Sequence, residues 1–157
     1  MARARPRHYS YGGTAAIVTS VGLIVGLGAA GVPRASIVSG LLVVGIADNV
    51  SDSLSIHMYQ ESENLEGRSA FHATLTNFVA RFLVVMSFVG IAVVAPFRAA
   101  PIVALTWGML LLGALTHRIA RARGVSPWRE TLKHVFVALL VVAVSRALGA
   151  WIAANVR

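Results

Sequence analysis

Cysteine is absent from this chain of 157 residues, which excludes disulfides and thiolate metal sites and leaves the compartment open. Charge is scarce as well. Only 13% of the residues are charged, against about 25% in a soluble domain. Acid is the scarcest of all, with six Asp and Glu against 14 Lys and Arg, for a net charge of +8. What fills the chain instead is apolar: 57% of residues are hydrophobic and the mean hydropathy is +0.73. The apolar residues fall into long blocks separated by polar punctuation, as expected of segments crossing hydrocarbon. The basic excess does not point to nucleic acid. The arginines sit mainly at block ends, where they meet lipid headgroups and fix topology.

A span of about 30 Å of hydrocarbon takes roughly 20 helical residues, and five blocks approach or exceed that length. The pattern predicts one all-α domain, a bundle of five transmembrane helices over residues 14–31, 35–59, 75–96, 102–120 and 132–154. A basic start (residues 1–8) before the first block resembles a signal peptide. The block is long for an h-region and runs into further apolar sequence, so it reads as the first membrane helix. Gly22 and Gly26 form a GxxxG pair there, a small face that admits a neighbouring helix and suggests a homodimer.

Loop charge sets the orientation. With the N-terminus inside, the inner segments carry Arg3, Arg5, Arg7, Arg68 and the five basic residues Arg118, Arg121, Arg123, Arg129 and Lys133. The outer ones carry Arg34, Arg98 and Arg157. Cytoplasmic loops are enriched in Lys and Arg, so the N-terminus is expected inside and the C-terminus outside, in a multi-pass protein of a bacterial-type cytoplasmic membrane.

The acids are the informative residues. Asp48, Asp52, Glu61, Glu63 and Glu66 cluster together and only Glu130 lies elsewhere. Two of them fall inside the second span, where a charge costs a few kcal/mol even on lenient scales, so something must offset that cost. On a helix of about 100° per residue, Asp52, Ser55 and Tyr59 all fall within about 40° of Asp48. With Asn49 beside them they form an oxygen-rich strip suited to hard or borderline divalent cations and to protons. His57 and Glu61, spaced i, i+4 on the opposite side, are a second candidate pair for Fe²⁺, Mn²⁺ or Zn²⁺. Glu63 and Glu66 extend it into a cytoplasmic segment that would gather cations. The same acids have a purely structural reading, since Arg81 and Arg146 are intramembrane cations that they would neutralise. No nucleophile–base set or complete metal-ligand signature appears, so no enzyme and no resident cofactor is expected.

These residues resemble the vacuolar iron transporter (VIT) family, in particular its nodulin-21-like members, which lack the cytosolic metal-binding insertion. The run Gly22-Leu-Ile-Val-Gly-Leu-Gly-Ala-Ala-Gly31 is similar to that family's first-helix glycines. The polar stretch from Asp48 to Glu63 looks like its second helix. Leu112-Gly-Ala-Leu-Thr116, Ser126-Pro-Trp-Arg129 and Ser145-Arg-Ala-Leu-Gly149 look like its last two helices and their link. The resemblance implies five membrane helices, a cytosolic N-terminus, a homodimer, and exchange of Fe²⁺ or Mn²⁺ for protons. The chain departs from the family where the first helix has an Asp-Gly element, since Ala15-Ala16 stands there. Two functions therefore follow as expectations. One is a transporter of a divalent metal through the acidic strip. The other is a non-transporting scaffold or partner subunit whose buried charges are structural.

Overall fold

The computed structural model describes residues 9–62 and 67–156. They form five helices in chain order: α1 Tyr9–Ala29, α2 Arg34–Ser62, α3 Gly67–Val94, α4 Ala100–Ala122 and α5 Pro127–Asn155. The protein is an all-α membrane bundle. Among the described residues, four helices are long and apolar enough to cross a membrane, over Arg34–Tyr59, Thr74–Val94, Ala100–Ala122 and Pro127–Asn155. The apolar stretch of α1, Gly13–Ala29, is shorter.

Local chemistry places the helix ends. Gly31 and Gly124 adopt φ of +73° and +70°, a conformation that L side chains resist, and they turn the chain after α1 and α4. Proline stands in the first turn of both α4 and α5, where its missing N–H loses no helical bond. Glu130 in the first turn of α5 suits the positive end of the helix dipole and pairs with Lys133 at 2.9 Å. The helices overrun the predicted apolar spans. α2 runs through its polar half as a continuous helix of 29 residues, about 43 Å long, and α3 begins at Gly67 rather than at residue 75. Both extensions are polar, so hydropathy marks where the hydrocarbon ends and not where the helix ends.

The short first helix is the hub. It packs against all four others, with α2 and α3 paired on one side and α4 and α5 on the other. Its Ile17, Val21 and Ile24 are almost fully buried among Leu41 of α2, Phe88 of α3, Leu112 of α4 and Val142 of α5. The glycine face of α1, which the sequence offered to a second copy, is occupied within the chain by α5. A Cβ at Gly22 would come within 3.2 Å of Ser145 Oγ, and one at Gly26 within 3.1 Å of the Ser145 carbonyl. A Cβ at Gly149 would collide with the Gly26 carbonyl. The two small-xxx-small pairs, Gly22/Gly26 and Ser145/Gly149, thus let the two backbones approach closely.

Candidate functional site

α2 carries Asp48 and Asp52 one turn apart, and α3 presents Arg81 to both. The guanidinium Nη2 donates to Asp48 Oδ2 at 3.0 Å, and Nη1 donates to Asp52 Oδ2. Exposure divides the trio sharply. The Arg81 side chain is 3% exposed, while those of Asp48 and Asp52 are 50% and 45% exposed. The arginine is therefore rooted in the bundle and reaches outward to two carboxylates on its flank. Its single positive charge leaves the trio at net −1, and each aspartate keeps Oδ1 for other partners.

Around Arg81 lies a buried polar seam between α2 and α3. Asn49 is 1% exposed, and its Nδ2 donates to the Phe78 carbonyl at 2.9 Å. Asn77 is 2% exposed. Asn49 Oδ1, Ser53 Oγ, Asn77 Nδ2 and Arg81 Nε are buried without a hydrogen-bond partner among the described residues. Such groups cost about 1–3 kcal/mol each when left unmade, and here they comprise an acceptor, two N–H donors and a hydroxyl in one seam. Thr19 and Ser20 of α1 join Asp48, Asn49 and Arg81 around a void of about 10 Å³, close to the size of one water. α1 therefore contributes hydroxyls to the acidic site although it brings no acid.

The other expected residues divide into two groups. Ser55 and Tyr59 share the exposed face with Asp48, so the strip exists as a surface feature. Ser55 Oγ, however, donates to the Ser51 carbonyl at 2.9 Å, which takes up its proton within the helix. Asn49 does not belong to that strip; it faces inward. His57 is half-buried and stands one turn before Glu61, which lies in the last turn of α2, whereas Glu63 and Glu66 fall outside the described residues. Among the described residues no group of three or more His, Asp or Glu side chains comes together to hold a metal.

Arg146 does not join the aspartates. It is exposed on α5 and lines a separate cavity with Arg34 and Arg98, so of the two expected charge partners only Arg81 takes that role. Ser53 and Asn77 are members of the seam that the reading of the strip passed over. A signal for them was present: Asn49/Ser53 on α2 and Asn77/Arg81 on α3 are both i, i+4 polar pairs inside apolar helices, as two facing polar edges would require.

The fold and this cluster define the class: a helical membrane protein with an ion-pair centre inside its apolar spans. No protein-family model matches the chain, nor does any curated protein or solved structure.

Proposed function

We propose that the protein transports a divalent metal cation, Fe²⁺ or Mn²⁺, in exchange for protons, with Asp48 and Asp52 as the carboxylates at which metal and proton alternate. The observation that carries this reading is the contrast in exposure within the trio: the carboxylates are about half exposed while their arginine is buried. Charges held only for architecture are best enclosed together, whereas acids open on one side remain accessible to an arriving ion. In this mechanism Arg81 is a resident partner that pairs with both carboxylates between loads. An incoming metal would engage the Oδ1 atoms and weaken the hold of Arg81, and protonation of either aspartate would release the metal. The resemblance of the glycine-rich first helix and the last two helices to the vacuolar iron transporters supports the same reading, as does the family's antiport chemistry.

The exposed strip on α2 also needs cover in hydrocarbon, since a charged group facing lipid is costly. A homodimer that pairs the α2 faces of two copies would enclose the strip as a path, and the bacterial-type cytoplasmic membrane suits the arginine-rich inner links. A scaffold role is the second reading, favoured by the observation that one arginine already satisfies both acids. The deciding experiment is uptake of Fe²⁺, Mn²⁺, Zn²⁺ and Co²⁺ by proteoliposomes, beside thermal unfolding with and without each metal. Asp52→Asn is expected to fold, to lose flux, and to lose the metal-dependent rise in melting temperature. If wild type carries no metal, or if both proteins respond to metal identically, the scaffold reading replaces this one.

A further inference from the structure

The end of the bundle opposite the acidic site holds a second cavity, of about 540 Å³. It lies where α1 ends, α2 and α4 begin, and α3 and α5 run out. Three arginines from three different parts of the chain line it: Arg34 at the start of α2, Arg98 in the link after α3, and Arg146 on α5. No carboxylate among the described residues lines it. The nearest acid on these helices is Asp48, about 21 Å along α2 from Arg34, and it is paired with Arg81.

The three cations are not equivalent. Arg34 is fixed by the end of α3, donating from Nη1 to the Val93 carbonyl at 2.6 Å and from Nη2 to the Ala95 carbonyl at 2.8 Å. Those carbonyls lie at the negative end of that helix, where a cation is welcome. Arg98 and Arg146 have no hydrogen bond or ion pair among the described residues. Arg146 also lies nine residues before the end of α5, about 14 Å along its axis, so it is a charge inside the apolar span that no described residue neutralises. The first turn of α4 at Ala100 and Pro101 borders the same cavity and adds the positive end of a helix dipole.

The geometry points to a binding site for a phosphate oxyanion, held by Arg98 and Arg146 with Arg34 as a fixed positive wall. Guanidinium groups match phosphate by paired N–H donors; a group charged −2 balances Arg98 and Arg146, and a phosphodiester charged −1 offsets one of them. Ile24, Val25, Ile37 and Phe97 form much of the remaining wall, which accommodates the glycerol and upper acyl carbons of an anionic phospholipid. Inorganic phosphate offers the same oxygens without that apolar part.

The test uses the purified full chain in a neutral detergent, read by thermal unfolding, with native mass spectrometry to count retained lipid. Phosphatidylglycerol, phosphatidylcholine and inorganic phosphate are titrated separately. Phosphatidylglycerol is expected to raise the melting temperature and to be retained, and phosphatidylcholine is not. Arg98→Gln and Arg146→Gln should each need about tenfold more lipid for the same shift, from the loss of a charged hydrogen bond. Arg121→Gln on the opposite end should respond as wild type, and Arg146→Lys, which keeps the charge, should recover most of the response if the Gln variant is poorly folded. Stabilisation by inorganic phosphate as well as lipid assigns the site to the oxyanion alone; stabilisation by lipid only assigns it to the anionic phospholipid, whose apolar part then contributes. An equal response of wild type, Arg98→Gln and Arg146→Gln to both probes overturns the site.

Discussion

Arg81 is the residue on which the acidic centre depends. It is the buried partner of the trio, and its guanidinium is shared between two acids. Its removal therefore leaves two uncompensated carboxylates, while removal of one acid leaves a pair that is still matched. A fully buried pair broken on one side loses about 3–5 kcal/mol. Because the acids here are half exposed, Arg81→Leu is expected to lose nearer the lower end, about 3 kcal/mol. Asp52→Asn should lose about 1 kcal/mol, the scale of one hydrogen bond. Equilibrium unfolding in detergent measures both, and the order of the two losses is the result to check. Combining Arg81→Leu with Asp48→Asn and Asp52→Asn should recover stability lost by the arginine variant, since no charge is then left unmatched. A triple variant no more stable than Arg81→Leu would show that the arginine acts through packing and the Asn49–Asn77 seam instead.

At the scale of the helices, the close approach of α1 and α5 rests on glycine. Gly149→Ala puts a methyl group against the Gly26 carbonyl, and separating the two backbones should cost about 1–3 kcal/mol. Gly90 on α3 has nothing within 4 Å of the position its Cβ would take. Gly90→Ala should be neutral, or stabilising by up to about 1 kcal/mol through helix propensity. Melting temperatures of the two variants should move in opposite directions or, at the least, differ clearly. The small face of α1 was legible from the spacing of Gly22 and Gly26, but its occupant was not. A GxxxG pair accepts any helix that can come close, and choosing α5 over a second copy requires knowing that Ser145 and Gly149 arrive at the same height. Similarly, the strip of Asp48, Asp52, Ser55 and Tyr59 was legible from helical period alone. The inward turn of Asn49 and the selection of Arg81 over Arg146 were not, because both depend on how α2 and α3 are rotated against each other.

The whole molecule has two unlike ends. One gathers the exposed basic turn between α4 and α5, with Arg121 and Arg123, and the other holds the cavity of Arg34, Arg98 and Arg146. Lys and Arg favour the cytoplasmic side, and from the count along the chain the α4–α5 turn is expected there. The natural chain has no cysteine, so single-cysteine variants report without background. Cysteine at position 123 should react with a membrane-impermeant maleimide only after the membrane is opened, and cysteine at position 98 should react in intact cells. The reverse pattern would invert the topology and place the arginine cavity on the cytoplasmic side.

The central position of α1 also bears on how the protein is made. The ribosome delivers this helix before α5, and each is the other's close-packed neighbour. Until α5 leaves the translocation machinery, the glycine face of α1 has lipid or a stand-in helix against it, so the longest-range contact in the bundle is the last to close. Nascent chains stalled before residue 145 should accordingly remain sensitive to protease and to membrane quality control. Those released beyond residue 149 should become resistant in a single step.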